Sequence, residues 1–181
     1  MDGGSRDRRH PKVFDGTPAA TEGAIAHEAL GTEGMGEPQI PAGLSAQVQS
    51  GLEAGERLLR EGHYAEAIRT WERLLGRTGM PAEEGERLRR RLARAYFGQA
   101  MAHQPLKGSR KDALRCVRWL EKAMEYDGGE ATYPYWLGVI HRHYGLWEKA
   151  ASYFRQALDI DPGHSWSRLE LGWALMRRPD V

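Results

Sequence analysis

The chain has 181 residues, 40% of them apolar, which suits one domain with a tail and is enough to bury a core. Lys and Arg number 26 against 25 Asp and Glu, and the net charge of +1 gives no global field that would draw the molecule to nucleic acid or a membrane surface. The single cysteine, Cys116, excludes an intramolecular disulfide framework and a cysteine cluster for zinc, and fits a reducing compartment.

Residues 1–45 scatter glycines among Pro11, Pro18, Pro38 and Pro41 with few large apolar residues, too little burial to offset the entropy of ordering them. They read as a disordered arm preceding a helical domain at 46–181, with a short helix near Ala24 to Leu30 held only against a partner. The charged start, MDGGSRDRRHPK, is followed by no apolar stretch of signal-peptide type, and no long apolar run follows anywhere, so the expected address is the cytoplasm. The piece GTEGMGEP matches neither a dinucleotide nor a P-loop phosphate motif and has no strand before it; it reads as linker.

From Ser45 onward the apolar period is that of a helix, and the spacing predicts seven helices over 46–60, 64–76, 83–102, 110–126, 132–144, 147–159 and 165–178. The breaks between them hold Gly62, the stretch from Gly76 to Pro81, Gln104 to Ser109, Gly128 and Gly129, Gly145, and Asp161 to Gly163. Ser109 with Asp112 three residues later resembles a capping box that would start the fourth helix. With no alternating β-branched run to read as a strand, the domain is expected to be all-α, its short connections turning neighbouring helices antiparallel.

These helices are not independent, because the chain repeats itself. Leu137-Gly138 recurs 34 residues on as Leu171-Gly172, and Ala150, Phe154, Ala157 and Leu158 fall on Cys116, Leu120, Ala123 and Met124 at the same offset. Upstream, LEAGERLLREGHYAEAIRTWERLL carries the same grammar: Gly55 matches Gly138, Gly62 matches Gly145, Tyr64 matches Trp147, Ala67 matches Ala150 and Trp71 matches Phe154. On Leu137-Gly138, Gly145, Trp147, Ala150, Phe154, Ala157-Leu158 and Pro162, the sequence resembles the tetratricopeptide repeat family. The resemblance covers residues 48–178: repeats at 48–81, 86–129 and 131–164, then a final helix at 165–178. It implies antiparallel helix-turn-helix units stacked into a right-handed superhelical solenoid. The chain departs from the pattern where His141 stands in a tyrosine slot, where Pro134 takes the early tryptophan slot, and in the second repeat, whose extra residues lengthen its helices or open a loop at His103 to Ser109.

The resemblance further implies work done on a concave face lined by the first helix of each pair. Projected onto this chain, that face takes Leu52, Glu56 and Leu59, then Arg87, Arg90 and Arg94, then Tyr135, Val139, Arg142 and His143, and finally Trp166, Leu169 and Trp173. Such a surface is basic at its centre and aromatic toward its end, which suits an acidic peptide with apolar anchors. The stretch RLRRRLARAY serves equally well as a solvated face with Glu83–Arg87 and Glu86–Arg90 pairs, and nucleic acid is a weaker third occupant. The Lys and Asn clamp that some family members use for acidic chaperone tails is not carried over, because Leu52 and Glu56 stand where its first pair would fall.

Chemistry within the chain is not expected. His141 and His143 lie two apart on a helix and diverge, whereas a helical metal pair needs a four-residue spacing and a third ligand. His141 reads as packed and His143 as exposed. No nucleophile motif stands out, and Cys116, in the small-residue slot of its repeat, reads as a buried small hydrophobe. No catalytic, metal or cofactor role is therefore assigned. The last helix has two apolar faces, Leu171, Ala174 and Leu175 on one and Trp166, Leu169, Trp173 and Met176 on the other, which implies a second contact such as another copy, a ligand or further repeats. The reading that follows is a non-catalytic protein-interaction adaptor, with a regulatory or substrate-recruiting part of a larger enzyme or chaperone assembly as the alternative.

Overall fold

Glycine joints break the apolar pattern at short intervals, and each break turns the chain back on itself. The computed structural model describes residues 46–76, 80 and 82–177, and the arm read at residues 1–45 lies outside them. Among the described residues are seven helices: α1 Ala46–Arg60, α2 Tyr64–Leu75, α3 Ala82–Ala102, α4 Arg110–Tyr126, α5 Thr132–His143, α6 Trp147–Ile160 and α7 Ser165–Met176. No strand occurs among the described residues. Each helix packs on its neighbours in sequence, and α5 also meets α7, so the chain is an all-α stack of antiparallel pairs.

The two tightest joints are built alike. Gly62 and Gly145 take φ of +79° and +73°, a left-handed conformation that costs a side-chain-bearing residue about 1–2 kcal/mol. The amide of His63 reaches the Leu58 carbonyl while that of Gly62 reaches Leu59; Leu146 and Gly145 repeat the pattern on His141 and Arg142. Both ends are thus closed by the same pair of crossed bonds, which satisfies carbonyls that a helix terminus would leave orphaned. The turns after α4 and α6 also match: Asp127 Oδ1 accepts from Gly129 N, and Asp161 Oδ1 accepts from Gly163 N. The repeat read in the sequence is therefore present in local hydrogen bonding.

Within a pair, small residues on one helix receive rings from the next. Trp71 of α2 fills the notch at Gly55 of α1, and Phe154 of α6 fills the notch at Gly138 of α5. Trp71 and Phe154 are fully buried, as are Ala67, Cys116 and Ala150, which occupy one repeat position. The second pair differs as its extra residues require. Its helices span 21 and 17 residues, and residues 103–109 form the connection between them. Ser109 caps α4 by the box read in the sequence: its hydroxyl accepts from Asp112 N, and the Asp112 carboxylate accepts from Ser109 N. Leu88, Leu92 and Ala95 of α3 then join Leu52, Ile68 and Trp71 in one buried cluster, so the second pair packs onto the first.

Candidate functional site

Among the first helices of the pairs, polar contacts join α1 to α3 and α5 to α7. Arg91 Nε of α3 lies 2.6 Å from Glu56 Oε1 of α1, and Arg142 Nε of α5 lies 2.9 Å from Glu170 Oε2 of α7. All four side chains are largely shielded from solvent. An ion pair at such a site is screened less than a surface pair, so these contacts tie α1 to α3 and α5 to α7 more firmly than exposed pairs would.

On α3 the arginines divide by what they touch. Arg91 faces α1. Arg87 is paired within its own helix, to Glu83 at 2.7 Å and Glu84 at 3.2 Å. Arg90 has a looser contact, 3.8 Å to Glu86, and is 64% exposed. Arg94 is exposed, and its charge reaches Tyr133 of the next pair. The intrahelical pairs expected from the sequence at Glu83–Arg87 and Glu86–Arg90 are thus present, and each is worth only a few tenths of a kcal/mol, roughly 0.2–0.5, on an exposed face. Such pairs hold an arginine in place without preventing it from exchanging partners.

Of the remaining residues projected onto this face, Leu52 is buried in the cluster with α2, and Leu59 is half-buried against it. Tyr135 and Val139 of α5 are 6% and 2% exposed, so they serve as packing beneath the surface. The physical reason is the position of α7: Tyr135 contacts the rings of Phe154 and of His164, the residue that caps α7, and the chain that follows covers it. His143 is exposed with its ring edge-on to Tyr144. On α7, Trp166, Leu169, Trp173 and Met176 are all exposed, and the Arg177 guanidinium lies 5.9 Å from the ring centres of both Trp147 and Trp173.

Two partners in the cross-helix pairs were not among the projected residues. Arg91 stands beside Arg90 in a run of arginines whose register on a long helix the charge pattern leaves open, and Glu170 reads from sequence as an ordinary surface carboxylate. The only signal for them is that Glu56 and Arg142 need counter-charges from the adjacent pair.

His141 is half-buried with its ring stacked on Tyr153, centroids 5.3 Å apart and planes within 6°. A flat ring is what this tyrosine slot requires, and histidine supplies it. Burial, and then the Lys149 charge, push its pKa down from the ordinary value, so it is held neutral. Cys116 Sγ donates to the Ala100 carbonyl at 3.4 Å, and burial pushes its pKa up to about 11, which leaves a protonated, unreactive thiol. Among the described residues, no three His, Cys, Asp or Glu side chains gather as a metal site, and no helix is long and apolar enough to cross a membrane.

Residues 135–164 match the family model described as tetratricopeptide repeat. No curated protein matches the chain. Among solved structures, the second domain of this type in human RPAP3, in complex with an HSP70 peptide, is 20% identical, with 71% of this chain and 95% of that one covered and a TM-score of 0.43. The C-terminal domain of a putative FK506-binding protein from Plasmodium falciparum is 15% identical over 72% of this chain and 87% of that one, with a TM-score of 0.46. The type III secretion translocator chaperone SycD of Yersinia enterocolitica is 12% identical over 75% and 97%, with a TM-score of 0.45.

Proposed function

We propose that this tetratricopeptide-repeat protein is a non-catalytic adaptor that binds a peptide or partner protein along the face made by its first helices. The observation that carries the reading is the pair of shielded ion contacts, Glu56–Arg91 joining α1 to α3 and Arg142–Glu170 joining α5 to α7, beside an exposed Arg90 and Arg94 on α3. A pre-aligned basic face loses little entropy on binding, and an arginine fork matches a carboxylate in two-point geometry.

Arg87, Arg90 and Arg94 form the basic centre of the proposed face, with Arg142 and His143 beside them and Trp166, Leu169 and Trp173 as its apolar end. Tyr135 and Val139 support that surface from below. The ligand class is an extended or helical peptide with acidic residues between apolar anchors, the apolar anchors supplying most of the binding energy and the carboxylates the register. A buried, protonated Cys116 and a neutral, stacked His141 supply neither a nucleophile nor a base on that face. Recovery of partners by the wild-type chain and by Arg90→Glu/Arg94→Glu tests the proposal. Loss of acidic partners by the variant is expected, and unchanged recovery counts against it.

A further inference from the structure

Helix α7 is started by a histidine. Nδ1 of His164 lies 3.2 Å from the amide nitrogen of Ser167 and 2.8 Å from its hydroxyl oxygen. A backbone amide only donates, so Nδ1 accepts and the proton of the neutral ring sits on Nε2. One repeat earlier the same position holds Glu130, whose Oε1 accepts from Thr132 N at 3.0 Å, and α4 takes its cap from the Ser109 hydroxyl. Of these three acceptors, only an imidazole changes charge between about pH 5 and pH 8. His164 is half-buried, so protons reach it, whereas Ser167 is fully buried, so water does not take over its amide.

The other titratable and charged groups around His164 come from three elements. Tyr135 of α5 places its ring centre 5.2 Å away, Asp161 closes α6 with its backbone carbonyl accepting from His164 N, and Arg168 follows on α7. The Asp161 carboxylate accepts from Gly163 N at 2.8 Å, and the Arg168 guanidinium donates to the Pro162 carbonyl. Arginine has no acceptor to offer and the Asp161 carboxylate is held by Gly163, so neither replaces the imidazole. We infer that His164 is a pH-sensitive catch: protonation of Nδ1 frees the Ser167 amide and loosens the start of α7 from α5. The imidazolium cannot accept, it strands a buried donor, and it puts a positive charge on the positive end of the helix, near Arg168. The loosened turn takes the His164 ring off Tyr135 and displaces Glu170, the carboxylate that holds Arg142. Acidification thereby uncovers Tyr135 and releases Arg142 beside the proposed binding face. That last consequence rests on the adaptor reading; the catch itself does not.

The test is amide hydrogen exchange of the isotope-labelled full chain, read by NMR as protection factors, which remove the intrinsic pH dependence of exchange. Between about pH 7.5 and about pH 5.5, protection of the Ser167 amide should fall by about fivefold or more, the weight of one helix cap. His164→Asn, whose side-chain oxygen caps without titrating, should keep that protection at both values, with circular dichroism checking that the variant is folded. His164→Asp is a second cap that stays in one charge state over this interval and should behave alike. His141→Tyr should lose protection as wild type does, which separates this catch from the His141 ring. Equal Ser167 protection in wild type at both values overturns the inference, as does the same loss in a folded His164→Asn or His164→Asp chain. Abolition of the loss by His141→Tyr also overturns it, since the titrating group would then be His141. None of these outcomes involves a partner, so failure here leaves the proposed binding face standing.

Discussion

Phe154 lies against Gly138 so closely that a Cβ on the glycine would stand 2.5 Å from the phenyl edge. The contact joins α5 to α6 at the middle of the third pair, and Trp71 makes the same contact with Gly55 at 2.0 Å in the first. Both rings are fully buried, so neither can withdraw without opening a cavity.

Glycine substitutions should therefore divide by position. Gly55→Ala and Gly138→Ala force overpacking and should destabilise the fold by about 1–3 kcal/mol, despite the helix propensity gained. Gly172→Ala meets nothing among the described atoms and should stabilise by about 0.5–1 kcal/mol. Urea unfolding followed by circular dichroism measures all three, and a loss of stability in Gly172→Ala would contradict the repeat-based account of α7.

The helix start at Ser109 gives a second prediction. Removing the hydroxyl in Ser109→Ala should cost about 1 kcal/mol, the usual worth of an N-cap. Hydrogen bonds from Ser109 hold the Asp112 carboxyl below its ordinary range. Its contribution is thus full above the unfolded carboxylate pKa and is lost as pH falls through the lower folded value. Ser109→Ala should lose less stability between neutral pH and the acid range than wild type, as read from unfolding midpoints across that interval.

His141 should titrate the fold in a different window. Its folded pKa is depressed by burial, so the unfolded chain takes up the proton first as pH falls below about 6.5, and stability declines from there until the folded histidine also protonates. Replacing it with the residue its repeat slot normally takes, His141→Tyr, keeps a ring for Tyr153 to stack on and removes that decline. Unfolding midpoints from pH 5 to 7.5 should be flatter in the variant, and an unchanged slope would refute the assignment.

The cross-helix pairs are open to a double-mutant cycle. Arg142→Ala and Glu170→Ala should each destabilise, with a coupling of about 0.5–2 kcal/mol, because the two side chains touch and are shielded from solvent. Additive losses would mean that the contact contributes nothing to aligning α5 with α7.

The helices and their joints were legible because each signal is local. Apolar spacing marks a helix, and Gly62 and Gly145 mark turns at which left-handed backbone is needed, as their φ values bear out. The 34-residue register carried the pairing further: it matches Gly55 with Gly138 and Trp71 with Phe154, and in the structure each glycine receives the ring of its own pair. The second pair was legible only as a surplus: the residues around Leu92 and Tyr96 could lengthen helices or open a loop, and the structure does both, with α3 of 21 residues and a connection at 103–109. Less local features were not readable. Tyr135 and Val139 read as groove residues by their place on α5, yet both are buried, Tyr135 against Phe154 and the His164 cap of α7, a consequence of packing between distant parts of the repeat. The pairing of Glu56 with Arg91 depends on the rotation of α3, which four arginines in five positions cannot reveal.

The basic face is tested most directly by selection from a random peptide library on the immobilised full chain, run in parallel on Arg90→Glu/Arg94→Glu. The account predicts that wild type enriches peptides with Asp or Glu between apolar anchors and that the charge-reversed chain loses them. Enrichment of the same acidic peptides by both chains would contradict it.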